Sequence, residues 1–218
     1  MPAPSIRTDH LVYAVPDLAA AVERIAAEWG VRPAIGGQHP YGTHNALLAL
    51  GPHTYLEIIA PDPAQPDPPL GRAFGMDDHP SQTQLVTWAA ATVDLDATRA
   101  AALAQGYDAG DVMEGSRLRP DGVKIAWRST RLVPVERGWP PPGDGLLPFL
   151  IEWGAGTPHP STTSPGGCTL VSLRAEHPNP AAIRQMLAAL GLDIAVNVGP
   201  APALFAVIET PNGEKMLA

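Results

Sequence analysis

The side chains that could do chemistry in this chain are imidazoles and carboxylates set in apolar, strand-like segments. Residues 9–18 read Asp-His-Leu-Val-Tyr-Ala-Val-Pro-Asp-Leu, and His10 is the member of that stretch equipped for chemistry. It poses the question of whether it belongs to a metal site or is a strand histidine bonded to backbone. Glu57 stands in an otherwise apolar strand, 54–60. An unpaired buried carboxylate is costly, so Glu57 must be neutral, paired with Arg or held by another partner. Glu152 lies in a similar strand, 147–153, with a solvated edge position as the competing account. His44 and Asn45 follow Thr43 in a turn-and-strand setting where such residues close local hydrogen bonds. His159-Pro160 reads as a loop feature, and His39, His53, His79 and His177 sit beside turn residues, which places them at the surface. Trp88, Trp127 and Trp153 lie in strands and fill the core or line a cavity. Cys168 has no His, Lys or Arg pattern to activate it and reads as structural.

Other chemistries find no support. There is no Gly-x-Ser-x-Gly elbow, no His-Glu-x-x-His and no phosphate loop, and Gly154-Ala155-Gly156 lacks the third glycine of a dinucleotide fingerprint. The formal charge of −8, without a Lys/Arg cluster, argues against nucleic acid, whose phosphates require a basic face. No apolar run is long enough to span a bilayer. Residues 1–7 lack the outline of a signal peptide. A single cysteine excludes an intrachain disulfide, so the expected location is the cytoplasm.

These residues must be positioned by secondary structure, and 218 residues suffice for one large domain or two small ones. The chain repeats an outline three times. A strand at 10–15 leads to Asp17 as N-cap, a helix at 18–29 with Leu18, Val22, Ile25 and Trp29 on one face, and Gly30 as stop. Strands at 32–38, 45–50 and 54–60 complete β-α-β-β-β. The second copy runs through a strand at 85–93, Asp94, a helix at 95–105, Gly106, and strands near 112–118, 123–132 and 147–153. The third has a strand at 169–175, Asn179, a helix at 180–190, Gly191, and strands at 194–198 and 204–210. Val-Pro-Asp-Leu at 15–18 and Thr-Val-Asp-Leu at 92–95 align at an offset of 77. Each helix needs a sheet to cover its apolar face, so the units must pack together. Pro-rich connectors at 61–69 and 154–167 and an insert at 134–145 separate or lengthen the units.

Two such units, opening on Asp9-His10-Leu11-Val12-Tyr13-Ala14-Val15-Pro16-Asp17-Leu18 and carrying Gly42-Thr43-His44-Asn45, Tyr55-Leu56-Glu57, Phe149-Leu150-Ile151-Glu152-Trp153 and His159-Pro160-Ser161, resemble the glyoxalase-like domain family of the vicinal oxygen chelate superfamily. The resemblance covers residues 8 to 161, and the third unit more loosely. It implies an α+β fold in which paired βαβββ units curl mixed sheets around one cavity, with a C-terminal βαββ unit appended. The implied division is 1–64 and 82–157 as the paired units and 168–218 as the third.

The superfamily hosts isomerases, lyases, dioxygenases, epimerases and metal-free binding proteins, so fold alone does not fix the reaction. The resemblance implies a divalent metal (Zn, Fe, Mn or Ni) at His10 and Glu57, with Glu152 as third ligand or general base, and with open positions for vicinal substrate oxygens. The repeat makes that site lopsided. Seven residues before each cap stand His10, Thr87 and Ser172, so the second unit offers a hydroxyl where a ligand is expected. A one-residue shift would also replace Glu152 by Ile151 on the inner face. His44 and His159 are the candidates for a further ligand. The expected cavity lining is Tyr55, His44, Asn45, Thr87, Trp88, Trp153 and His159. The expected function is a lyase- or isomerase-type small-molecule enzyme using metal-assisted proton abstraction. The alternative is a metal-free small-molecule binding or sequestering protein on the same fold, with no metal at all. The expected partner is a small molecule, with neither nucleic acid nor membrane, and homodimer formation is left open.

Overall fold

The computed structural model describes residues 6–130 and 139–218. Most of the 1–7 stretch, the end of the expected strand 123–132 and the start of the 134–145 insert lie outside the described residues.

The first unit runs β1 (Arg7–Ala14), α1 (Leu18–Trp29), β2 (Ala34–His39), β3 (Thr43–Ala49) and β4 (Tyr55–Pro61). The second runs β5 (Gln84–Ala91), α2 (Leu95–Ala104), β6 (Val112–Leu118), β7 (Lys124–Thr130) and β8 (Phe149–Trp153). After a single turn, α3 (Pro160–Thr163), the third unit has β9 (Thr169–His177), α4 (Pro180–Ala189), β10 (Ala195–Val198), β11 (Ala203–Thr210) and a further strand, β12 (Gly213–Leu217).

Local chemistry starts and stops the helices. Asp17 accepts from the Ala20 N–H, Asp94 from Ala97 and Asn179 from Ala182, so each side chain satisfies one orphan donor of a first turn. Gly30 ends α1 at φ 78°, a left-handed conformation that glycine adopts without a Cβ clash.

The first two units form one eight-stranded sheet in the order β2-β3-β4-β1-β5-β8-β7-β6. β1 pairs parallel to β4 and antiparallel to β5, and β5 pairs parallel to β8. The sheet curls until the edges of β2 and β6 approach one another, where Arg117 Nη1 donates to the Gly36 carbonyl. Period-two alternation then divides the side chains. Leu11, Leu56, Ile58, Trp88 and Leu150 point outward into a core shared with Leu18, Ile25 and Leu95. Burial of each such side chain contributes about 1.5–3 kcal/mol. His10, Val12, Glu57, Ile59, Ala89 and Ile151 occupy the inner face.

The third unit forms its own four-stranded sheet, β10-β9-β11-β12. Here the helix links neighbouring parallel strands, unlike α1 and α2, which link strands that are not adjacent. Its buried face, with Ala175, Ile183, Leu187 and Ile208, joins the core outside the large sheet. Backbone bonds from Leu170 N to Leu50 O and from Leu85 N to Ala218 O fasten it there. Beyond the first Pro-rich connector the chain folds back so that Phe74 and Met76 pack on Val12, Ala14 and Ile59, covering one end of the inner face. Among the described residues no helix is long and apolar enough to cross a membrane.

Candidate functional site

Asp9 and His10 are consecutive, yet both take part in one buried polar cluster. The β1–β5 register shifts between Thr8 and His10, a bulge that leaves Asp9 without a cross-strand partner and re-aims it. Asp9 is 0% exposed, and it accepts three hydrogen bonds: from His10 Nδ1 at 2.6 Å, His159 Nε2 at 3.0 Å and Trp153 Nε1 at 3.0 Å. Burial alone would raise its pKa, but the bonds and charges of His10 and His159 outweigh it and hold the carboxyl well below its ordinary value. An ionised carboxylate only accepts, so both histidine nitrogens facing it carry hydrogen. Nε2 is therefore the atom at which His10 takes up or releases a proton, and it faces Glu57 Oε2 at 3.7 Å.

Glu57 is held from the other side. Asn45 Nδ2 donates to Oε1 at 2.6 Å and lies 3.3 Å from His39 Nε2, which is itself 3.6 Å from Oε1. His39 Nδ1 donates to Thr43 Oγ1 at 2.9 Å. Burial lowers the His39 pKa, with Glu57 opposing and Arg117 reinforcing it, so the ring is neutral. Tyr55 stacks on His10 with ring centroids 4.6 Å apart, and burial pushes its phenol well above the ordinary range. Arg117, on β6, completes the cluster electrostatically; burial depresses its pKa while Glu57 and Tyr55 act in the opposite direction. A cavity of about 180 Å³ opens beside it, with Gly36, Leu47, Arg117, Ile125, Ile35 and Pro160 among its lining residues.

Several expected residues lie elsewhere. Glu152 is turned to the helix face, where Oε2 accepts from Leu95 N at 2.7 Å and lies 3.6 Å from Arg128 Nη1. The physical reason is register: Val12 pairs with Glu57 as Ala89 pairs with Phe149, so the counterpart of Glu57 is Phe149. Glu152 is thus a cap of α2 rather than a companion of His10 and Glu57. Glu152→Ala should cost about 1 kcal/mol in a thermal or urea melt. It should leave any activity of the His10–Glu57 site intact; a lost activity at unchanged stability would return Glu152 to the site.

Trp88 likewise faces the helices, fully buried, with Nε1 donating to Leu146 O at 2.8 Å. His44 points away from Asn45 by strand alternation. Thr87 does lie inside, opposite Val12, and its Oγ1 has no hydrogen-bond partner among the described residues. His159 and Trp153 reach the cluster through Asp9, and His159 also meets Tyr55 edge-on at 5.7 Å. Sequence reasoning overlooked Asp9 and Arg117, and it placed His39 at the surface, whereas the ring lies 3.6 Å from Glu57 Oε1. The cost of burial that singles out Glu57 applies equally to Asp9, an acid in the same kind of apolar strand.

The donor set does not fit a divalent metal. His10 and His39 address different oxygens of Glu57, and Oε1 is already occupied by the Asn45 amide. The second unit contributes Thr87 and Phe149 where two more donors would be needed. Among the described residues no three His, Cys, Asp or Glu side chains are arranged to hold a metal ion.

Two βαβββ units joined edge to edge in one curled sheet form the fold that the sequence resemblance implies. Residues 8–191 match the model of the glyoxalase-like domain, and the chain belongs to that family. A search of the curated proteins finds no match. Among solved structures, a hypothetical protein from Staphylococcus aureus is similar at a TM-score of 0.66 and 13% identity, covering 97% of this chain and 84% of that one. Methylmalonyl-CoA epimerase from Mycobacterium tuberculosis matches at 0.40 and 24% identity, over 66% of this chain and 86% of that chain. A Streptomyces coelicolor methylmalonyl-CoA epimerase variant in complex with 2-nitronate-propionyl-CoA matches at 0.43 and 22% identity, over 69% and 96%.

Proposed function

We propose that this chain is a small-molecule enzyme of the lyase or isomerase type that moves a proton between carbon and its own side chains, with Glu57 as base and His10 as acid. The observation that carries this reading is the line Asp9–His10–Glu57. One imidazole nitrogen is fixed by a buried carboxylate at 2.6 Å and the other faces a second carboxylate at 3.7 Å. A histidine oriented in this way presents one fixed nitrogen through which a proton can be given or taken. In the proposed cycle Glu57 removes a proton from a carbon next to a carbonyl, and His10 Nε2 delivers one to the same or a neighbouring atom. Asn45 keeps the Glu57 carboxylate in place through its 2.6 Å bond to Oε1. Because the donors do not converge on one point, the cycle is drawn without a metal.

The test is deuterium uptake from D2O into a panel of small α-hydroxy and α-oxo carbonyl compounds, followed by NMR. The wild-type protein should exchange at least one of them at a rate that a chelator leaves unchanged. Glu57→Gln and His10→Asn should slow that exchange by about 10²- to 10⁴-fold. Exchange that stops on chelation would replace this mechanism with a metal-assisted one.

A second reading, a binding or sequestering protein on the same fold, is favoured by how closely the pair is covered: His10 is 3% and Glu57 8% exposed. Saturable binding of a panel member without any exchange would select it.

A further inference from the structure

The cavity beside the cluster is lined by a charge that is not met at contact distance. Its ionisable lining is Arg117, Arg119 and Asp121. Arg119 on the rim is paired with Asp121 at 2.8 Å, which leaves Arg117. Arg117 is only 7% exposed. Among the described residues its one hydrogen bond is from Nη1 to the Gly36 carbonyl, and no carboxylate lies within 4.0 Å of the guanidinium. A guanidinium carries five donors and no acceptor. Buried charges are otherwise paired, because the loss of hydration is large. Glu57 acts on Arg117 only from beyond contact, and burial is the largest influence on it.

The rest of the lining is mostly apolar, with Thr163 and Ser164 as its uncharged polar members. Leu47 and Ile125 line the cavity together with Arg117, and Leu47 is the register partner of Glu57 on the neighbouring strand. A short carbon skeleton lying on Leu47 would therefore run toward Glu57. The planar fork of arginine matches a carboxylate in two parallel bonds. One uncompensated positive charge suits a monoanion, whereas a dianion would leave excess negative charge next to Glu57.

We infer that the cavity at Arg117, Gly36, Leu47 and Ile125 is a binding site for a small organic monocarboxylate, held at its carboxylate by Arg117 and presented along Leu47 to Glu57. As a statement about substrate class it rests on the proton-transfer reading above. As a statement about binding it stands alone.

Propionate, propionamide and inorganic phosphate, each titrated into the full chain in chloride-free buffer, serve as probes by calorimetry or NMR. Propionate should bind saturably, with the neutral amide and phosphate weaker by about tenfold or more. Arg117→Gln should weaken propionate by about ten- to a hundredfold, while Glu57→Gln, which removes a neighbouring negative charge, should bind propionate at least as tightly as wild type and lose exchange. Absence of saturable propionate binding, equal binding of acid and amide, tighter binding of phosphate, or a folded Arg117→Gln protein that binds propionate like wild type would each overturn the assignment. Should Arg117→Gln fail to fold because the bond to Gly36 is lost, the acid–amide comparison on wild type decides, with Arg117→Lys as the variant that keeps the charge. Propionate bound through Arg117 with no exchange anywhere in the panel would retain this site and remove only the reaction.

Discussion

Replacing Asp9 by Ala should destabilise the protein by about 3–5 kcal/mol, the range for removing one partner of a buried charged arrangement. The size follows from what would be left behind. Asp9 is completely buried, and its two oxygens accept from His10, His159 and Trp153. All three donors lie inside the curled sheet or against its end, and each buried donor left without an acceptor carries a penalty of about 1–3 kcal/mol. Asp9 also joins segments far apart in the chain: His10 belongs to the first unit, Trp153 to the second and His159 to the segment that leads into the third. Urea unfolding measures the change, and a loss below about 1 kcal/mol would show that water or repacking satisfies these donors. Asp9→Asn should lose less, because its amide oxygen still accepts at one end, while its NH2 confronts donors at the other.

The same carboxylate sets an acid limit. Its folded-state pKa lies below the ordinary 3.8, since hydrogen bonds from His10 and His159 overcome the opposing effect of burial. A depressed value means that the folded protein binds fewer protons than the unfolded chain at acidic pH. The stabilisation is therefore fully present above the ordinary value and is lost as pH falls through the folded one. The stability difference between wild type and Asp9→Asn should stay flat from neutrality to about pH 4 and shrink below it. A difference that grows on acidification would reverse the sign and place the neutral acid in the native state.

What could be read from residue order is what local physics decides. The caps Asp17, Asp94 and Asn179, the stops at Gly30, Gly106 and Gly191, and the apolar face of α1 all depend on neighbours within a turn or two, so these helices fall where the pattern puts them. The inner-face positions of His10 and Glu57 follow from alternation within β1 and β4. Glu152 fails because its face depends on the register of β8 against β5 and β7, a property of pairing between distant segments. Asp9 and Gly36 were hidden by bulges, since one extra residue overrides alternation at a single point. His39 follows from the same register: next to the Pro40-Tyr41-Gly42 turn it looks like a surface residue, yet β2 faces Thr43 and Asn45 and turns the ring toward Glu57. Arg117 needs closure of the whole sheet, because its contact, Gly36, is 81 residues away. The departure of Thr87 from His10 was visible in the repeat, and with Phe149 in place of a second acid the missing half of a metal site is explained by both strands rather than one.

Gly36→Ala should disturb Glu57 through a neighbour and cost about 1–3 kcal/mol, the range for overpacking a well-filled interior. The backbone of Gly36 is not in the left-handed region, so the effect is steric. A Cβ there would lie 2.2 Å from Asn45 Oδ1 and 3.1 Å from Leu47 Cγ. Asn45 is 2% exposed and cannot swing away freely, because its Nδ2 is the donor that holds Glu57 Oε1 at 2.6 Å. Its Oδ1 has no partner among the described residues, which fits an amide placed for its donor end and tolerated at the other only because Gly36 leaves the space. Expelling Asn45 removes the hold on Glu57, so deuterium exchange should fall along with stability. Asn45→Ala alone should have a similar effect by direct loss of the bond, about 1–3 kcal/mol. If the collision is the cause, adding Gly36→Ala to Asn45→Ala should cost much less than it does in wild type, giving a favourable coupling of about 0.5–3 kcal/mol in a double-mutant cycle. Additive losses would mean that Gly36 acts through its own strand, and that Asn45 holds Glu57 independently of the space beside it.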